Sequence, residues 1–133
     1  MRLSATLLLV TIAACSGSPT QPDRARTGQP FDLGVGQTAT TTDDLRIRFD
    51  TVRSDSRCPM DALCVRAGEA VIAITLSLPG EAAVGRELET VPAKAQTTFS
   101  RFTITLSSLA PYPRSDRQIQ PNDYIATFIV SVR

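Results

Sequence analysis

Histidine is absent from this 133-residue chain. That removes Ser-His-Asp and Cys-His catalysis, together with the commonest zinc and copper ligand. Only carboxylates, Lys or Tyr are left for catalysis, so the sequence reads as a non-enzyme. Tryptophan is absent too, and two Tyr and five Phe give little for stacking nucleobases. Charge of one sign is also lacking. The chain carries 14 basic and 13 acidic residues, and the balance becomes even if Arg2 leaves with a leader. Such a balance argues for neither nucleic acid nor an anionic membrane surface as a partner. No apolar run approaches the ~20 residues that a membrane-spanning helix needs. No segment keeps a helical period; Ala82–Gln96 comes closest, and Gly85 and Pro92 interrupt it.

At the N-terminus, Arg2 precedes the apolar run Leu7–Ala14, in the manner of a cleaved signal peptide over residues 1–14. Ile12-Ala13-Ala14-Cys15 resembles the bacterial lipobox. The resemblance implies a diacylglycerol thioether on Cys15, palmitate-type acylation and a membrane partner reached through lipid, since two or three chains anchor stably. Ser16 after the cysteine implies the outer membrane by analogy with enteric sorting. Cysteine arithmetic agrees: three Cys are odd, and lipid on Cys15 leaves Cys58 and Cys64 as a pair. Residues 15–30, SGSPTQPDRARTGQP after the cysteine, lack an apolar period and read as a flexible tether. Its reach is ~20 Å on average and ~50 Å at most.

Residues 31–133 then read as one small all-β domain, an antiparallel β-sandwich or barrel of six to seven strands. Leu45, Ile47 and Phe49 alternate with Arg46, Arg48 and Asp50, and Phe102, Ile104 and Leu106 alternate with Thr103, Thr105 and Ser107. Val52 falls out of phase, which predicts a bulge or the end of the strand. Val71–Leu78 and Tyr124–Val132 are apolar on both faces, as in central strands. Phe31–Val35 and Arg86–Val91 supply further strands, and Asp43-Asp44 marks a turn.

Between two of these strands lies Asp55-Ser56-Arg57-Cys58-Pro59-Met60-Asp61-Ala62-Leu63-Cys64. An exported compartment permits a disulfide. Cys58 and Cys64 would close a seven-residue ring, worth ~2 kcal/mol in the loop-entropy model. A redox dithiol is the alternative, though the C-x-x-C spacing and a thiolate-stabilising His are missing. C-x5-C is not a zinc spacing, and Asp43, Asp44, Asp50, Asp55, Asp61 and Glu69 do not fall in an EF-hand pattern. No metal and no cofactor is expected. Pro59, Met60 and Asp61 form a candidate contact loop, and Asp55 is expected to pair with Arg57.

The stretch DSRCPMDALCVRAGEAVIAITL resembles a pattern found in small bacterial envelope lipoproteins of uncharacterised function, and the likeness continues at Leu109–Pro113 and Ile119–Tyr124. Many such sequences carry an aromatic residue where Arg66 stands here. The resemblance implies a β domain with a disulfide and supplies no mechanism. The sequence thus points to a non-catalytic binding or structural domain of the cell envelope, with an envelope protein or polymer as partner. Two alternatives stand beside it. One is a protease-inhibitor-like module using the disulfide loop, which Pro59 and the ring would preorganise. The other is a carboxylate-dependent hydrolase using Glu87 and Glu89, which share one face of a strand.

Overall fold

A computed structural model describes residues 24–133. The expected leader, Cys15 and residues 16–23 lie outside the described residues. Eight strands follow one another: β1 (Pro30–Gly34), β2 (Thr38–Thr40), β3 (Arg46–Asp55), β4 (Ala70–Ser77), β5 (Val84–Glu89), β6 (Gln96–Phe99), β7 (Phe102–Ala110) and β8 (Ile125–Val132). They form two four-stranded antiparallel sheets, ordered β1-β8-β7-β6 and β2-β3-β4-β5, the layers of a small sandwich. The expected six to seven strands become eight because β2 and β6, of three and four residues, are separate elements. The Ala82–Gln96 region holds no α-helix; it supplies β5, a single 3₁₀ turn at Pro92–Lys94, and the start of β6.

Period-two alternation places the core. Ile47 and Phe49 of β3 and Ile72, Ile74 and Leu76 of β4 face Ile104 of β7 and Ala126, Phe128 and Val130 of β8, all buried. Phe49 meets Phe128 edge-on across the sheets, with ring centroids 6.3 Å apart. Each such side chain contributes roughly 1.5–3 kcal/mol by leaving water. The out-of-phase Val52 sits within the expected irregularity: the β3–β4 register shifts between Phe49 and Thr51 and again between Val52 and Ser54. β4 and β8 are central strands, as their composition suggests. Their outer faces are less covered than expected, however, and Ile125 and Val132 are exposed.

The expected tether ends earlier than residue 30. Ala25 is buried and bridges Thr41, donating to the Thr40 carbonyl and accepting from the Thr42 amide. Gly28 donates to the Val130 carbonyl. Residues 24–30 therefore belong to the domain. They carry no apolar period because backbone bonds and polar side-chain contacts, Arg24 to Asp44 and Thr27 to Asp43, hold them.

The sandwich has two distinct ends. The chain enters at the end formed by the Thr41–Leu45 turn, the β4–β5 and β6–β7 connections and the close of β8. The β3–β4 and β7–β8 loops lie at the other end, where β3 finishes at Asp55 and β7 at Ala110. β3 spans ten residues, or about 30 Å at strand rise.

Candidate contact site at the disulfide end

The neck of the β3–β4 loop is built from backbone. Ser56 donates to the Glu69 carbonyl and Cys58 to the Ala67 carbonyl, which continues the β3–β4 pairing beyond the sheet. Gly68 is required at this neck. Its φ is +67°, and a Cβ there would overlap the Ser56 carbonyl oxygen.

Below the neck sits the most buried charge among the described residues. Arg57 is only 7% exposed. Its Nε and Nη2 donate to the two carboxylate oxygens of Asp55 at 2.8 and 2.6 Å. Nη1 donates to the Leu109 carbonyl at 2.7 Å and Nη2 also to that of Pro111 at 3.0 Å. The guanidinium carbon lies 5.0 Å from the centre of the Tyr112 ring. Tyr124 completes the set by donating its hydroxyl to Asp55 at 3.0 Å. The expected Asp55–Arg57 pair is therefore present, and it clamps the β7–β8 loop to the root of the β3–β4 loop.

Electrostatics follow from this packing. Burial alone would push the Asp55 carboxyl up, but the hydrogen bonds and charge of Arg57, helped by Tyr124, outweigh it and hold the group below its ordinary range. Burial, and then the bond to Asp55, pushes Tyr124 up to about 12. The Asp61 carboxyl is also lowered, chiefly by the Ser115 amide that it accepts.

The loop itself is closed by the Cys58–Cys64 disulfide. It rests on its neighbour through Met60, whose amide donates to the Pro113 carbonyl, and through Asp61, which accepts from Ser115 at 2.9 Å. Asp61 thus ties the two loops together while remaining exposed. Pro59 is half-buried within the ring, and Met60 is 61% exposed. Beyond them, Leu63 and Val65 are both fully in solvent, at 105% relative exposure. Among the described residues nothing hydrogen-bonds the backbone of Leu63, Cys64, Val65 or Arg66. The sequence points to Pro59–Asp61 as the contact loop and does not mark Leu63 and Val65. The available signal was two aliphatics flanking a disulfide cysteine in a segment too constrained to be a strand.

Beside the loop is a cleft of about 370 Å³, bordered by Thr90 and Pro92 after β5, Ser107 and Leu109 of β7, Arg57 and Tyr112. Its cation, Arg57, is already committed to Asp55 and two carbonyls, so the cleft offers no free charge to an anion. Among the described residues no three acids or cysteines converge, so nothing there is arranged to hold a metal ion. No helix of the described residues is long and apolar enough to cross a membrane.

No protein family, curated protein or solved structure matches this chain.

Proposed function

We propose that this chain is a lipid-anchored, non-catalytic domain of the bacterial cell envelope that recognises another protein through its disulfide end. The observation that carries the reading is the full exposure of Leu63 and Val65 on a loop held by the disulfide, the Asp55–Arg57 clamp and the bonds to Pro113 and Ser115. A staple needs the two cysteines, but it does not need aliphatic side chains on its outer surface. Fixed apolar groups in water gain free energy when a partner covers them, and their rigidity lowers the entropy lost in doing so.

Two further features support the reading. First, eight residues separate Cys15 from Arg24, a reach of about 28 Å at most, and Arg24 stands at the end of the sandwich opposite the disulfide. With lipid on Cys15 the anchor joins the domain at the end opposite the loop and leaves the loop clear of the attachment point. Second, the acids that a hydrolase would use are engaged elsewhere: Glu87 lies 3.5 Å from Arg53 and Glu89 3.1 Å from Lys94, all on the surface or near it. The outer membrane, by the residue after the cysteine, is the proposed address.

The test is affinity capture from envelope extract with the wild-type chain and with Leu63→Asp/Val65→Asp. Both positions are exposed, so the variant should keep its stability within about 0.5 kcal/mol. A discrete protein retained by the wild type and lost by the variant supports the reading. Identical capture by both contradicts it.

A further inference from the structure

We propose that the cleft beside the Arg57 clamp holds a sugar unit of an uncharged glycan, whose chain continues across the outer face of the β1-β8-β7-β6 sheet. The site is separate from Leu63 and Val65 and goes beyond the protein contact proposed for the disulfide end. Its volume of about 370 Å³ lies in the range of small-ligand sites. The cleft exists because sheet pairing stops short. β6 begins at Gln96, opposite Thr105, and the Pro92–Lys94 turn before it leaves β7 without a β6 partner from Ser107 onward. The β7–β8 register shifts at the same point, between Leu106 and Ser108, and Ser107 and Ser108 are both exposed.

The lining selects the chemistry. Among the described residues bordering the cleft none is acidic, and the one base, Arg57, is taken up by Asp55 and two carbonyls. A charged ligand of either sign would lose hydration there without gaining a partner. Leu106 and Leu109 are buried. Pro92 and the Tyr112 ring, 49% exposed, supply apolar surface, and Thr90, Ser107 and Ser108 supply hydroxyls. A pyranose is mixed in the same way, apolar on the faces of its ring and hydroxylated at its edge. Its C–H groups suit the negative face of an aromatic ring, and each protein hydroxyl can donate to or accept from a sugar hydroxyl. An acyl chain would leave those hydroxyls without partners. A peptide adding as a strand finds no run of free backbone on β7, since Ala95 takes the Leu106 amide and Arg57 the Leu109 carbonyl.

The adjoining sheet face has the same character. The strands β1, β8, β7 and β6 contain a single charged residue, Asp32, which accepts the Thr127 hydroxyl at 2.6 Å. By contrast, β3 and β5 of the other sheet carry Arg46, Arg48, Arg53, Arg86, Glu87 and Glu89. Thr98 pairs with Thr103 on the outward side of β6 and β7, and Thr105 and Ser107 carry that row to the cleft. A charge-free surface bearing hydroxyls is complementary to a polymer that bears hydroxyls and no charge.

The experiment is calorimetric titration of the whole chain with β-1,4-linked hexamers. Two are neutral, of N-acetylglucosamine and of glucose, and distinguish the source of the glycan. Two are charged, the cationic glucosamine hexamer and the anionic glucuronate hexamer. The expected result is a Kd below about 1 mM for at least one neutral hexamer, and at least about 10-fold weaker binding of both charged ones. The same neutral sugar as a dimer should bind at least about 10-fold more weakly than the hexamer, because it reaches only the cleft. Tyr112→Ala should cost at least about 10-fold in affinity. Tyr112 also covers Arg57, so Ser107→Glu, at an exposed position, provides a second variant; it should melt like the wild type and lose at least about 10-fold as well. Arg48→Ala, on the charged sheet, should bind as the wild type does. The proposal is overturned by no binding of either neutral hexamer at about 5 mM, by charged hexamers bound as tightly, by dimer and hexamer bound alike, or by folded Tyr112→Ala and Ser107→Glu chains that bind like the wild type. Equal loss in Arg48→Ala would overturn it too.

Discussion

Arg57 and Leu109 are 52 residues apart in the chain, yet Arg57 Nη1 donates a 2.7 Å hydrogen bond to the Leu109 carbonyl. That bond joins the segment just beyond β3 to the end of β7, in opposite sheets. The buried guanidinium is fully engaged there, by the Asp55 carboxylate and the carbonyls of Leu109 and Pro111.

Arg57→Met should therefore be among the most damaging single changes. It leaves Asp55 buried without its cation, and breaking such a pair costs about 3–5 kcal/mol. Asp55→Asn combined with Arg57→Met should recover part of that loss, because no charge is then stranded. Urea denaturation midpoints of the two variants check both statements.

Stability should fall at both pH extremes. Asp55 has a lowered folded pKa, so its contribution is present above the ordinary carboxylate range and is lost as pH falls through the folded value. Tyr124 has a raised one. Its contribution is full below the unfolded value near 10 and disappears as pH rises towards about 12. Tyr124→Phe should remove the alkaline decline between those values, measured by thermal melts at stepped pH.

Loss of the staple should be felt without loss of the fold. Cys58→Ala/Cys64→Ala should cost about 2–4 kcal/mol, from the ring that the pair closes. Gly68→Ala should cost more than about 1 kcal/mol, because its positive φ disfavours a side chain and the Ser56 carbonyl in its way is backbone that cannot rotate aside. Near-native circular dichroism with lowered melting temperatures is the expected readout.

Much of the sandwich is legible in the sequence because alternation is a local property. β3 and β7 can be read from single side chains, and the bulge from the one residue out of phase, Val52. β2 and β6 are too short to carry a period of their own. Residues 24–30 are polar and resemble linker, since backbone bonds to Thr40 and Val130 attach them. At the site, the Asp55–Arg57 pair is two residues apart and readable. Its links to Leu109, Pro111 and Tyr124 span 52 to 69 residues and depend on how the sheets stack. The exposure of Leu63 and Val65 is hidden by the usual meaning of an aliphatic residue, which is burial, and only their place beside a disulfide cysteine hints at it.

The anchor is tested separately. Cys15→Ala should abolish incorporation of a palmitate analogue and release the domain from the membrane fraction or leave it unprocessed. Undiminished labelling in the variant would contradict lipidation at that cysteine.

The most direct test of the account places a photo-crosslinking amino acid at Leu63 and, in a second strain, at Glu81 in the turn that follows β4. Glu81 stands at the opposite, chain-entry end of the sandwich. After illumination of intact cells, the chain labelled at Leu63 should give a discrete protein adduct that the chain labelled at Glu81 lacks. No adduct at Leu63, or the same adducts from both positions, would contradict the assignment of the disulfide end as the recognition surface.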